Sequence, residues 1–395
     1  MQKKTVEDEE VYGKRVLVRA DFNVPMDRNG TIEDDTRIRA CLPTITYLID
    51  HRARVILCSH LGRPHGRVDG HLRLEPVARR LSELLQRPVK PLREAIGPEV
   101  ERAVSGMENG EIILLENLRF YPGDEENDPG FARELASLAD LFVNDAFGAS
   151  HRAHASVVGL AAYLPCVAGL LMEKEIERLG SLLENPRRPF AAIMGGAKVE
   201  EKIGILENII SKVDLILIGG GMSATFLKGQ GRDAGISPVE PDKMEMVRAI
   251  MQKAGALGVR ILLPQDVIVT EKLKIGAIAQ EVSAQQIPAD SIIADIGPQT
   301  ITEFTKELKN CRTVVWNGPM GVFEIPQFSE GTKSIATALA DLHAMTIVGG
   351  GSTAEAVTKL GLSGRMTHVS TGGGATLLFL SGKILPGIAV LADKD

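Results

Sequence analysis

The sequence is poor in cysteine. Only Cys41, Cys58, Cys166 and Cys311 occur in 395 residues, they lie far apart, and no CxxC pair is present. That argues against a disulfide scaffold and against a cysteine-based metal framework, and it points to a reducing cytosol. Long apolar runs are missing too, so nothing in the chain is long enough to span a bilayer. The first ten residues, Met-Gln-Lys-Lys-Thr-Val-Glu-Asp-Glu-Glu, lack the apolar core of a secretion signal. A cytoplasmic protein with no membrane partner is the expectation. Positive charge is not in excess. The formal net charge of −6 argues against general nucleic-acid binding, so any basic site has to be a local cluster. No Walker A pattern is present, which removes the P-loop class, and there is neither a short-period repeat nor a low-complexity segment.

What is present is enough apolar residue, 44%, to build more than one core, and the length favours two domains. Short β-branched runs alternate with helical patterns. In the first half, Arg15–Ala20, Arg54–Cys58, Glu111–Leu115 and Leu141–Asn144 read as strands. Thr36–Asp50, Leu74–Leu85, Glu99–Met107 and Pro129–Leu138 read as helices. The second half repeats the alternation, with strands near 190–194, 215–218, 260–263, 291–295, 313–316, 345–348 and 368–370. Such alternation predicts an α/β fold of βαβ units, each half a mostly parallel sheet flanked by helices. Leu171, Ile176, Leu179 and Leu183 mark one face of a linking helix over 171–184. It divides a first domain, 1–170, from a second, 185–380. The apolar tail 381–395 is expected to cover part of the first domain.

The organising stretch is Phe190-Ala-Ala-Ile-Met-Gly-Gly-Ala-Lys198-Val-Glu-Glu-Lys202-Ile-Gly204. It reads as a buried strand, a tight Gly195-Gly196 turn and a helix beginning near Lys198. Lys198 and Lys202, four apart, then share one face at the N-terminal end of that helix, where free N–H groups already favour an anion. Two lysines there suggest a bound phosphate; a solvated turn with Glu200 and Glu201 as partners is the alternative.

Ligands of open α/β sheets bind at the carboxyl ends of strands. In the first half those ends are Arg19-Ala-Asp21-Phe-Asn23, Ser59-His60-Leu-Gly-Arg63, Glu116-Asn-Leu-Arg119 and Asp145-Ala-Phe-Gly-Ala-Ser-His151-Arg152-Ala-His154. With Arg37 added, a basic residue stands at nearly every end, which suits a small polyanion because arginine binds phosphate or carboxylate bidentately. The second-half ends are glycine-rich: Gly195-Gly196, Gly219-Gly220-Gly221, Asn317-Gly318, Gly349-Gly350-Gly351-Ser352-Thr353 and Gly372-Gly373-Gly374. Glycines let backbone N–H groups come close to a nucleotide, and several of these loops precede helices.

On five segments, Arg19–Pro25, Ser59–Pro64, Leu115–Phe120, Gly195–Val199 and Trp316–Glu324, the chain resembles the phosphoglycerate kinases, and the resemblance extends over essentially the whole sequence. It implies two Rossmann-like lobes joined by a hinge helix. The N-terminal lobe would hold 3-phosphoglycerate and the C-terminal lobe ADP or ATP with Mg2+. Phosphoryl would pass reversibly from 1,3-bisphosphoglycerate to ADP, and the lobes would close on one another to align the two ligands and exclude water. It also implies roles. Asp21 and Asn23 would contact the glycerate, and Arg37 would orient its carboxylate and support the transferring group. His60, Arg63, Arg119 and Arg152 would form the basic patch. Lys198 and Lys202 would approach the nucleotide phosphates and the moving phosphoryl. Gly219, Gly220, Asn317, Glu324, Gly349, Gly350, Gly351, Ser352 and Thr353 would line the nucleotide, with Glu324 on the ribose hydroxyls. Gly372, Gly373 and Gly374 would place a helix N-terminus near the transferred group. A monomer taking only small-molecule substrates is expected.

The chain departs from the family pattern at Ser352, where the family carries the aspartate expected to bind magnesium, so the metal ligand is left unknown. After Gly374, Leu378 and Ser381 stand where the family carries glutamates. Two other readings compete. One is an NAD-dependent oxidoreductase, for which Glu240 stands near the offset of a ribose-binding acid from Gly221. The other is a phosphometabolite binder that has lost its metal ligand.

Overall fold

The computed structural model describes residues 2–394. The chain divides into two compact units, one running to Glu177 and resuming at Ile384, the other Arg178–Lys383. The division falls inside the helix Leu170–Glu184.

The first unit is built on a six-stranded sheet: β1 (Arg15–Arg19), β2 (Arg54–Cys58), β3 (Val89–Pro91), β4 (Ile112–Leu114), β5 (Leu141–Asn144) and β6 (Cys166–Ala168), in the order β3-β4-β2-β1-β5-β6. Every pairing is parallel. Helices cover a parallel sheet on both faces, so its strands are apolar throughout rather than alternating. The sequence Arg-Val-Leu-Val-Arg of β1 and its burial on four of five positions follow from this. The helix Thr36–Asp50 lays Ile38, Cys41, Ile45, Leu48 and Ile49 into the core, spaced for one helix face. Register aligns Arg19 with Cys58 and with Asn144, so the carboxyl ends of β1, β2 and β5 finish level. The segment from Ile384 lies in this unit: Asn144 Nδ2 donates to the Gly387 carbonyl at 3.0 Å, and the Ala392 N–H to that of Cys166 at 2.9 Å.

The second unit has a parallel sheet of β7 (Phe190–Met194), β8 (Leu215–Ile218), β9 (Arg260–Leu262), β13 (Thr313–Asn317), β14 (Met345–Gly349) and β15 (His368–Val369), in the order β15-β14-β13-β7-β8-β9. Between β9 and β13 the chain forms a separate three-stranded antiparallel sheet of β10 (Asp266–Thr270), β11 (Gln280–Ser283) and β12 (Ile292–Ile296). This corrects the sequence reading, which placed a strand at 291–295 within the repeating βαβ pattern and had none at β10 or β11. The strand β11, Gln-Glu-Val-Ser, carries one apolar residue and is mostly exposed, so no hydrophobic pattern announces it. The edge strands β3 and β6, three residues each, have no counterpart in the sequence reading; β3, Val-Lys-Pro, buries only its first residue.

Candidate active site

In the first unit, the loops after β1, β2, β4 and β5 gather arginines around one histidine. Asp21 Oδ2 accepts from Arg37 Nη1 at 3.0 Å, which fixes the start of the helix Thr36–Asp50 against the loop after β1. Asn23 Oδ1 accepts from the Gly62 N–H at 2.9 Å and ties that loop to the one after β2. Arg119 is buried, donates to the Gly62 carbonyl, and pairs with Glu125 at 3.4 Å. Arg152, half-buried, donates from Nε to His151 Nε2 at 3.2 Å. His60 sits beneath them, buried, with Nδ1 3.2 Å from Arg19 Nη2. A guanidinium is always a donor, so Nδ1 accepts and the His60 proton resides on Nε2. Burial, then the fields of Arg19, Arg119, Arg37 and Arg152, hold the His60 pKa well below its usual value, which leaves the ring neutral. The structure thus brings Asp21, Asn23, Arg37, His60, Arg119 and Arg152 into one cluster. Arg63 lies on the same loop as His60 and is exposed.

Arg19 stands among the strand-end basic residues of the sequence, but the roles implied by the family resemblance give it none, although it is a cation buried to 1% exposure at the end of an apolar strand. That placement was the available signal, because a buried arginine needs partners. The site set read from the sequence omits Asp124 and Ser156, fully buried polar residues that no motif marks.

In the second unit the expected lysine pair is divided. The helix runs Glu200–Ile209, so Lys198 lies outside it and is exposed, whereas Lys202 is buried on its first turn. The two do not share a helix face. Nor are the first N–H groups of this helix free for an anion: Glu240 accepts from the Val199 and Glu200 N–H groups, at 2.5 and 3.1 Å. A carboxylate from the fold occupies the end where a phosphate was expected. Burial lowers the pKa of Lys202, with Glu201 opposing. Its side chain passes Gly196, where a Cβ would stand 4.0 Å from Lys202 Cε.

The glycine loops fall into two groups. Those after β7, β8 and β13 are spent on one another. The Gly195 N–H donates to the Asn317 carbonyl, that of Gly196 to Pro319, that of Gly220 to Met320, and that of Met222 to Gly196. A Cβ on Gly220, whose φ is +63°, would lie 2.6 Å from the Gly196 nitrogen. These glycines allow backbone to pack on backbone. The loop after β14 is different. Gly351 has open space around it, and no side chain caps the helix Gly351–Lys359 that it begins. Next to this loop Asn317 is fully buried, and neither of its amide atoms has a hydrogen-bond partner among the described residues. A Cβ on Gly350 would stand 3.0 Å from Asn317 Nδ2. A buried amide without partners is costly, which makes this turn a candidate place for a ligand or an ordered water. Thr353 Oγ1 accepts from the Gly318 N–H at 2.7 Å and joins this loop to the Asn317 turn. Ser352 and Glu324 are exposed. The Ser370 and Thr376 hydroxyls meet at 2.6 Å beside Gly372, Gly373 and Gly374.

The family profile described as phosphoglycerate kinase matches residues 6–383. The chain belongs to the phosphoglycerate kinase family. It is 55% identical over 394 residues to a phosphoglycerate kinase of Pelotomaculum thermopropionicum and 56% identical over 398 residues to one of Dictyoglomus turgidum, covering all of both chains in each case. The structure of phosphoglycerate kinase from Coxiella burnetii superposes with a TM-score of 0.87 at 43% identity, over 98% of each chain. The oxidoreductase reading falls with this finding, and its acid, Glu240, is the residue that caps a helix.

Phosphoglycerate kinases use magnesium with their nucleotide, and the residues here do not form a cage for it. Among the described residues no group of three or more His, Cys, Asp or Glu could hold a metal ion. The oxygens near the open loop, Asn317 Oδ1 and the Ser352 hydroxyl, are neutral, and a hard cation prefers carboxylate.

Proposed function

We propose that this chain transfers a phosphoryl group reversibly between the acyl phosphate of 1,3-bisphosphoglycerate and ADP, giving 3-phosphoglycerate and ATP. The first unit takes the glycerate and the second the nucleotide. One observation carries the reading: a buried histidine gathered with Arg19, Arg37, Arg119 and Arg152 at the strand ends of the first unit, in a chain of net negative charge. That cluster suits a small molecule carrying both phosphate and carboxylate. In this reading Asp21 and Asn23 meet the glycerate hydroxyl region, while His60, Arg63, Arg119 and Arg152 hold its phosphate. Arg37 orients the carboxylate. Lys198, Gly219, Gly220 and Gly349–Thr353 attend the nucleotide phosphates, Glu324 its ribose, and Asn317 the path between.

In the ATP-consuming direction the nucleophile is a carboxylate with a pKa near ~3.5, already ionised, so no general base is required. The cluster accordingly offers donors rather than an acid–base pair. Lys202 supplies positive charge to the moving group, and alignment supplies most of the rest. Because the two substrates bind different units, each turnover requires a closing motion that excludes water. Magnesium, in this reading, would arrive as the complex with ADP or ATP and offset the charge of its phosphates. We further propose that the protein acts as a monomer in the cytoplasm. Among the described residues no helix is long and apolar enough to cross a membrane. A coupled assay with ATP and 3-phosphoglycerate tests the activity. ADP release that requires both the acid and the nucleotide is expected. ADP release without the acid, or none with it, contradicts the reading.

A further inference from the structure

Among the described residues Arg19 is the most deeply buried cation of the first unit, and none of its side-chain hydrogen bonds goes to a carboxylate. Its Nε donates to Ser156 Oγ at 3.0 Å, Nη1 to the Ala20 carbonyl at 2.5 Å, and Nη2 to His60 at 3.2 Å. Ser156 is itself fully buried, and its backbone N–H donates to Asp124 Oδ1 at 3.0 Å. The Asp124 carbonyl accepts from the adjacent Ala155 N–H at 2.8 Å. Asp124 is completely buried, and its second oxygen, Oδ2, has no hydrogen-bond partner among the described residues; His154 Nδ1 is 3.9 Å away. Asp124 therefore grips Ala155 and Ser156 by their backbone N–H groups, and Ser156 carries the hydroxyl that aims Arg19.

We propose that Asp124 is the positioning residue of the anion pocket: it holds Ser156, Ser156 sets Arg19, and Arg19 fixes His60 as an Nε2–H donor before the substrate arrives. The inference rests on the proposed function only for the identity of the anion. The relay lies wholly within the first unit. It makes a prediction opposite to that of charge alone. Removing a negative charge from a basic pocket should, by field, tighten anion binding. Removing a positioning group should weaken it, because guanidinium and imidazole donors lose their aim.

The test uses the full chain and the variants Asp124→Ala, Asp124→Asn and Ser156→Ala. Ring 15N chemical shifts of His60, assigned with His60→Asn, report the tautomer directly. The wild type is expected to show the Nε2–H form, and Asp124→Ala and Ser156→Ala a mixture of forms. Hydrogen bonds to charged groups contribute enough that the KM for 3-phosphoglycerate should rise about tenfold or more in these two variants, with the KM for ATP unchanged and partial recovery in Asp124→Asn, which keeps an acceptor for the Ser156 N–H. An unaltered His60 tautomer in Asp124→Ala and Ser156→Ala overturns the relay. So does a lower KM for the acid, or a parallel change in both KM values. If the wild type shows no turnover, the functional reading fails while the His60 shifts still decide the relay. Should Asp124→Ala not fold, Ser156→Ala breaks the same chain at its middle.

Discussion

His60 shows how one residue's surroundings become a measurable property. Its folded pKa lies well below the ordinary 6.5 because burial and four guanidiniums oppose a further charge. The unfolded chain therefore takes up this proton first as pH falls. The neutral ring's contribution to stability is complete above about pH 6.5 and is lost below it, down toward the folded pKa. His151 and His154 are lowered in the same direction, chiefly by burial. Thermal denaturation followed from pH 8 to pH 5 should show a falling midpoint below about pH 6.5. His60→Asn should flatten that slope, and an unchanged slope would remove His60 as its source. Ser352 is the other residue with a clear test. It is an exposed hydroxyl where the family pattern has a carboxylate. Calorimetry with ADP in the presence and absence of magnesium should show Ser352→Asp raising the metal's contribution to affinity by about tenfold. An equal metal effect in both proteins would show that the serine is not what limits it.

At the scale of elements, the helix Glu200–Ile209 is held at its N-terminus by Glu240, a residue 40 positions away from Glu200. Glu240→Ala leaves the Val199 and Glu200 N–H groups without that acceptor and should cost about 1 kcal/mol, read as a lower urea midpoint. Glu240→Gln, which keeps an acceptor, should lose less. Equal midpoints in all three proteins would show that the cap contributes nothing. This cap also marks the limit of reading from sequence. Buried parallel strands such as β1, β2, β5, β7 and β8 announce themselves because both faces demand apolar residues, and their bounds fell within a residue of those observed. Long-range polar contacts leave no periodic trace. Spacing alone makes Glu240 a candidate ribose ligand and sets Lys198 on a helix that begins after it, and a strand-end position places Arg19 among the basic residues without revealing its buried partners. The glycine loops looked alike as sequence, yet only packing separates Gly220, locked against Gly196, from Gly351, which faces open space.

For the whole molecule, the account is a division of labour between two units of one chain, each with its own parallel sheet and its own kind of strand-end loop. Arginine loops serve one, glycine loops the other. Net negative charge makes the basic cluster a local contrast rather than a general property. Isothermal titration of 3-phosphoglycerate and of ADP into the wild type and into Arg119→Ala tests this division most directly. The loss of a buried guanidinium donor should weaken 3-phosphoglycerate by about tenfold or more and leave ADP unchanged. Weaker ADP with unaltered 3-phosphoglycerate would contradict the account.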